Sequence, residues 1–338
     1  MPGDETTEPL SRRVFQAREL MERYPPRWSH PNKQVVYRLA CPPGTVHGGE
    51  VVYTRWPPAT LPETLEASVR APSLEVHEGV FTYDPPPAGP PAADWHLNFA
   101  ASDLFCAYGS RLLAQDEMQV AEHPVLAALR EALLSLGEST LTVENDQPTP
   151  ILVTGAERRC RIATGVNPTE GRPCGLYGNR FAEADVETIK RAVTVLDPPT
   201  VTNILATEAP SYGSGRYGRD EITFILKTAY SGFLAARVES RCGREDKPTV
   251  SVHTGFWGCG AYGGNRVLMT MLQVLAARLA GLDRLVYHTV DVEGTDRYDE
   301  AVAILEDDLG AFAGPLETGS LIDEIEAMGF EWGVSDGN

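Results

Sequence analysis

The sequence predicts an α/β layered domain with helices on both faces of a sheet, and three observations lead there. From residue 95 onward, apolar runs of strand length alternate with longer runs of helical period. Glycine clusters fall where a strand gives way to a helix. With 42% hydrophobic and 22% charged residues, the 338-residue chain can bury a core and is not a disordered polymer.

The elements follow in order. Residues 13–24 read as a short amphipathic helix stopped by Pro25-Pro26. Residues 34–39, 50–56 and 74–83 read as short strands. The proline run from Asp84 to Pro91 is a surface loop, because proline lacks an amide donor and fixes φ. Strands are expected at 95–100, 151–154, 201–206, 249–254 and 285–290. Helices are expected at 124–136, 181–196, 220–238, 264–279, 297–311 and 317–328. Residues 155–180 read as a glycine-rich basic loop carrying Arg158, Arg159, Arg161, Arg172 and Arg180. These arginines either cover a pocket or belong to a plain surface loop. The expected organisation is an accessory region over 1–90, packed on a main domain over 91–338.

Charge and cysteine usage exclude several function classes. A formal net charge of -18 argues against nonspecific binding to nucleic acid or to an anionic membrane surface. The acidic start lacks the apolar core of a secretory signal. The longest apolar stretch, 267–282, is interrupted by Arg278 and is too short to span a bilayer. The cysteines form no CxxC pair and no zinc-finger spacing with histidine, so unpaired thiols and a cytoplasmic location are expected. No metal and no cofactor is expected.

Two segments carry chemistry, both where an α/β sheet places its ligands, on loops leading from strands into helices. In the first, His253 to Asn265, five glycines allow positive φ and a close backbone approach. Inward-pointing amides and the positive end of the next helix dipole would let an acidic protein hold a diphosphate. Trp257 and Tyr262 could line such a pocket; the competing reading is a tight turn whose aromatics fill the core. The second segment, Asn98 to Glu117, ends in two adjacent acids, Asp116 and Glu117, in an apolar neighbourhood. Repulsion and burial should raise the pKa of one of them, as a general acid in glycoside cleavage requires. The competing reading is a solvated helix start. His253 and His288 flank the glycine loop as core histidines or as pocket-lining groups.

The longer strings tie these segments to a family. Thr254-Gly-Phe-Trp-Gly-Cys-Gly-Ala-Tyr-Gly-Gly264 resembles the diphosphate-binding segment TGNWGCGAFGG of the poly(ADP-ribose) glycohydrolases, with Phe256 for Asn and Tyr262 for Phe. Residues 227–234, 272–277 and 283–287 resemble that family's adjoining helices and strand, and the resemblance covers roughly 95–292. Counted from Phe99, Gln115-Asp116-Glu117 falls on the family's QEE. The resemblance implies a macrodomain-like three-layer α/β/α fold with a mixed central sheet plus N-terminal and C-terminal accessory elements. It implies Glu117 as the catalytic carboxyl and Asp116 beside it. It also implies Asn98, Phe105, Gln115, Phe256, Gly258, Cys259, Gly260, Ala261, Tyr262 and Gly263 as ligand contacts. The ligand would contain ADP-ribose.

The chain departs from the family where Ala101 replaces an Asn, Phe105-Cys106-Ala107 replaces a triple glycine, and Val290 stands for a Phe. Phe105 is expected to fill space beside the terminal ribose. Three readings follow: a glycohydrolase acting on a mono-ADP-ribosylated target or an NAD-derived metabolite rather than poly(ADP-ribose), a binding module with a silent catalytic half, or a fold kept without its pocket. Oligomeric state is not legible.

Overall fold

The computed structural model describes residues 8–66, 71–85, 89–211, 213–311, 314–335 and 337. Eight strands form one sheet: β1 (Ser11–Gln16), β2 (Glu50–Arg55), β3 (Ser73–His77), β4 (Ala92–Ala100), β5 (Ile151–Ile162), β6 (Val193–Glu208), β7 (Thr249–Gly255) and β8 (Arg284–His288). Their spatial order is β1-β2-β5-β6-β4-β7-β8-β3. The run β6-β4-β7-β8-β3 is parallel, and the other pairs are antiparallel. The sheet is therefore mixed, and β1, β2 and β3 come from the first 90 residues. Of the proline run, residues 86–88 lie outside the described residues.

Among the described residues, ten helices accompany it: α1 (Ala17–Arg23), α2 (Pro31–Ala40), α3 (Gln115–Glu122), α4 (Pro124–Leu136), α5 (Arg180–Glu183), α6 (Val186–Ala192), α7 (Arg219–Arg241), α8 (Arg266–Leu279), α9 (Val292–Ala303) and α10 (Thr318–Ala327). Side chains alternate across a pleated strand, so neighbouring residues join different cores. Trp95, Leu97, Leu152, Leu205, Val250 and Val252 pack under α7, α8 and α10. Val51, Tyr53, Ile151, Val153, Ile204 and Ala206 pack under α1 and α4. These layers make the α/β/α sandwich. Among the described residues no helix is long and apolar enough to cross a membrane.

Several local expectations are corrected. Residues 34–39 lie in α2, which His30 caps and Pro31 starts; the pair Val35-Val36 suggested a strand, but this N-terminal signal decides. Residues 13–16 belong to β1, and the helix begins only at Ala17. The supposed basic loop is strand through Ile162, with Gly155 at a bulge in the β5–β6 pairing. The helix expected to run to Leu196 ends at Ala192, where β6 begins.

Gly155 sits at φ +78°, and a Cβ there would lie 1.9 Å from the Glu50 carbonyl oxygen. Gly155→Ala therefore forces β2 and β5 apart in addition to the left-handed strain, and should cost roughly 2 kcal/mol or more. Urea unfolding reads this; an unchanged midpoint would contradict the close approach.

Candidate functional site

β4 and β7 are adjacent parallel strands, and each leads into one of the two segments singled out above. β4 ends at Ala100, and its loop runs over 101–114 to α3; β7 ends at Gly255, and the glycine turn leads to α8. Both segments thus lie at the carboxyl edge of the sheet, beside the ends of the parallel strands.

The carboxylate side is held from several directions. Gln115 staples α3 to β4: its Nε2 donates to the Leu97 carbonyl at 3.0 Å, and its Oε1 accepts from the Phe99 amide at 2.8 Å. Asn98, fully buried, donates to Asp116 Oδ1 at 3.0 Å and to Gln119 Oε1 at 2.8 Å. Its own Oδ1 has no partner among the described residues. Glu117 Oε2 accepts from the Ala114 amide at 3.0 Å. Asp103 takes a two-pronged bond from Arg130 at 2.8 and 2.7 Å, which fixes the start of the loop.

Asp116 and Glu117 are 7% and 4% exposed, so water solvates neither charge well. Burial first, then the charge of Glu117, pushes Asp116 up to about 7, against a smaller opposing effect of the Asn98 hydrogen bond. Burial also raises Glu117, while Lys33 opposes it. The sequence led us to expect one raised acid; both are raised. The acids are not a solvated helix start.

Phe105 occupies the first position of the replaced triple glycine. It keeps a left-handed backbone, φ 54°, and turns its ring fully into the core beside Ala100, Leu104, Tyr108 and Val120. The expectation that this ring fills the ribose space is corrected: the apolar core claims it. The next residue, Cys106, is exposed, and partial burial and then the Asp116 charge raise its thiol.

In the glycine turn, the amides of Trp257, Cys259, Gly263 and Gly264 bond within the loop. Those of Gly258, Gly260 and Ala261 have no acceptor among the described residues. Gly258, at φ +75°, lets the Pro210 carbonyl approach to within 2.8 Å of where a Cβ would stand. Cys259, Gly260, Ala261 and Tyr262 are half-buried; Trp257 is 1% exposed and belongs to the core, not to a pocket wall. Phe256 packs on Tyr287 and Tyr298 with Arg266 over its ring. The C-terminal segment borders the turn, Gly333 donating to the Gly263 carbonyl at 2.7 Å and Trp332 stacking on Tyr217.

Arg158, Arg159 and Arg172 are engaged by carboxylates. Arg158 bonds buried Glu122 at 2.8 Å and lies over the Tyr83 ring, Arg159 pairs with Glu157, and Arg172 with Glu170. Tyr177, in the same region, accepts the Gln115 amide at 3.1 Å, so this loop does border α3.

Sequence reasoning missed two features. One is Lys33 of α2, 1% exposed, which donates to the Tyr108 carbonyl at 2.9 Å and reaches the Glu117 carbonyl at 3.5 Å. A lysine followed by Gln34-Val35-Val36 gives no signal of burial. The other is a row of histidines on one face of four adjacent strands. His96 stacks on His253 at 4.3 Å, His253 Nδ1 lies 3.2 Å from His288 Nε2, and His288 stacks on His77. Period-2 spacing puts each imidazole on that face, yet only strand order brings them together.

One family model matches a large part of this sheet. Residues 150–297 match the family model described as poly(ADP-ribose) glycohydrolase (PARG), macro domain fold. This segment is thus similar to the poly(ADP-ribose) glycohydrolases, and the α/β fold is macrodomain-like. A probable poly(ADP-ribose) glycohydrolase 2 of Arabidopsis thaliana is 24% identical over 135 residues, 31% of this chain and 26% of that relative. The match therefore spans about a quarter of that protein's length. Among solved structures, the poly(ADP-ribose) glycohydrolase of Thermomonospora curvata bound to the inhibitor ADP-HPD is 16% identical, covering 84% of this chain and 96% of that one with a TM-score of 0.45. That of Deinococcus radiodurans in complex with ADP-ribose is 12% identical, covering 91% and 99% with a TM-score of 0.41.

Burial has opposite consequences for the acids and the imidazoles. Asp116 is raised, so its contribution is complete below the unfolded carboxyl pKa of about 4 and is lost as pH climbs through 7. Asp116→Asn should therefore stabilise the protein at pH 8 by roughly 1–3 kcal/mol and do so less as pH falls toward 4. Burial lowers His253 to about 4 and His288 to about 3, so their contribution is complete above about 6.5 and is lost on acidification. His253→Asn should lessen the loss of stability between pH 7 and 5 by roughly 1–2 kcal/mol. Denaturant titrations at these pH values check both; parallel pH curves for a variant and wild type would refute the corresponding assignment.

Proposed function

We propose that this protein hydrolyses a glycosidic bond to ADP-ribose, with Glu117 as the catalytic acid and base. The observation that carries this reading is the pair of buried carboxyls with raised pKa at the start of α3, one strand away from a glycine turn with unengaged amides. A carboxyl raised by burial keeps its proton near neutrality, where a departing group needs it. Amides without acceptors suit a diphosphate in a protein whose net charge is -18.

The ligand's diphosphate would lie on the amides of Gly258, Gly260 and Ala261, with Tyr262 and Gly263 beside it. Its terminal ribose would reach Asn98, Asp116 and Glu117. As the bond between the anomeric carbon and the leaving atom breaks, that atom takes the electron pair and the Glu117 proton. The oxocarbenium-like sugar is then attacked by water, whose proton passes to the Glu117 carboxylate. The products are free ADP-ribose and the released hydroxyl or amine, and Glu117 ends protonated as it began. Asp116 would accept a ribose hydroxyl and hold the Glu117 proton by repulsion. The replaced triple glycine favours a mono-ADP-ribosylated target or a small NAD-derived substrate over poly(ADP-ribose).

Glu117→Gln keeps shape and hydrogen bonding but cannot transfer the proton. It should lower ADP-ribose release at least about 100-fold while leaving ADP-ribose affinity within a few-fold of wild type. If wild type binds ADP-ribose yet releases none from any ADP-ribosylated substrate, the chain is a binding module. If both proteins release it equally, Glu117 is not the acid. Gly258→Ala, which meets the Pro210 carbonyl, should weaken ADP-ribose binding by calorimetry; unchanged affinity would remove the turn from the site.

A further inference from the structure

The first 90 residues supply one charged group to this site that no resemblance assigns. Lys33 lies on α2, sealed at 1% exposure. Its ammonium donates to the Tyr108 carbonyl at 2.9 Å, lies 3.5 Å from the Glu117 carbonyl and 5.9 Å from the centre of the Phe181 ring. Each contact does something specific. Tyr108 belongs to the loop that brings the chain from β4 to α3, so the first fixes the loop that stands where a triple glycine is replaced. The second ties Lys33 to the backbone of the catalytic carboxyl. The aromatic face and the carbonyls replace part of the water an ammonium loses on burial.

We infer that Lys33 is a positioning residue of the carboxylate site: it locks the loop before α3 and, as a buried cation on the backbone of the helix that carries the pair, sets how readily Asp116 and Glu117 ionise. This rests on the proposed function for its catalytic consequence, though not for its electrostatic one.

The charged surroundings fit this role. On α3, Asp116 and Glu117 hold the Lys33 proton on, while burial, the larger influence, brings its pKa down to about 8. Reciprocally, Lys33 opposes the upward shift of both acids. From the loop, Arg111 acts on His30, at the start of α2, as Lys33 also does, and the charges of Asp116 and Glu117 act on Cys106. From α4, Arg130 acts on Asp116, with less effect than Lys33. The α5–α6 side contributes the Phe181 ring, and the Phe181 and Ala184 carbonyls are taken up by Asn32. A lysine that served packing alone could be replaced by an apolar chain of the same length without moving any carboxyl; a lysine that sets ionisation could not.

The test uses the full chain with Lys33→Met, which keeps the volume without the charge, and Lys33→Arg, which keeps the charge. ADP-ribose release from an ADP-ribosylated protein is followed from about pH 4 to 9. Lys33→Met should move the kcat/KM profile toward higher pH by about one unit, and Lys33→Arg should leave it in place even where it lowers its height. A Lys33→Met profile of reduced height at the wild-type position overturns the inference. If wild type releases no ADP-ribose, the proposed function fails on its own, and carboxyl 13C NMR of the same proteins still decides: the Asp116 midpoint should rise by about the same amount in Lys33→Met. If Lys33→Met does not fold, Lys33→Gln, which still donates to Tyr108, carries the same expectation. In wild type the Lys33 ammonium itself must titrate below the ordinary lysine range, and an ordinary midpoint overturns the inference without any variant.

Discussion

Two carboxyls side by side and almost dry are the constraint around which this site is built. An isolated carboxylate loses several kcal/mol on leaving water, and a second one beside it adds repulsion. The fold answers with short-range partners rather than solvent: the Ala114 amide on Glu117, the Asn98 amide on Asp116, and the Lys33 ammonium within reach of the helix that carries both. Those partners come from the loop, from the central strand β4 and from the N-terminal α2. The carboxyls thus keep their place only if three distant parts of the chain keep theirs. Gln115 adds the last restraint, because its side chain completes the β4 backbone and turns α3 into an extension of the sheet.

Under the proposed function, the glycine turn faces the opposite problem. An acidic protein has little side-chain charge to spare for an anion, and here Arg158, Arg159 and Arg172 are engaged by glutamates. Main-chain amides carry no counter-ion and need no partner of their own sign. Their use requires a backbone that leaves the internal ladder, which is what left-handed Gly258 and Gly263 permit. The turn is half-bonded to itself, and this partial satisfaction holds its shape while leaving donors over.

Much of this was legible in the sequence, and the remainder was hidden for identifiable reasons. The parallel strands β4, β7 and β8 were found to within three residues at each end, because β-branched and aromatic residues recur in each between turn residues. Helix α4 read to the residue, from Pro124 to Leu136, because proline marks its start and Gly137 its end. Strand β5 was truncated because its second half carries Glu157, Arg158 and Arg159, which look solvated; Arg158 is buried only because Glu122, 36 residues earlier, is buried opposite it. Phe105 was placed beside the ribose because the segment's alignment fixes its backbone, whereas the direction of its ring is decided by the core of α4 and β5. Lys33, and the row that joins His253 and His288 to His96 and His77, could not be found by pattern, since each gains its meaning from residues remote in sequence.

The histidine row also bears on the carboxyls. On the histidine face of the sheet, the rings of Phe81 and Tyr83 lie against His288 and His96. Tyr83 accepts a hydrogen bond from Gln119, and Gln119 accepts one from the same Asn98 that binds Asp116. The packing of neutral imidazoles is thus continuous with the hydrogen bonds that orient an acid. Acidification favours the protonated carboxyls but opposes the burial of His96, His253 and His288, which burial holds below the ordinary imidazole range. Alkaline conditions leave the imidazoles intact but ionise two carboxyls that repel. The site is consistent only between these limits, and the burial that raises the acids is the same burial that lowers the histidines.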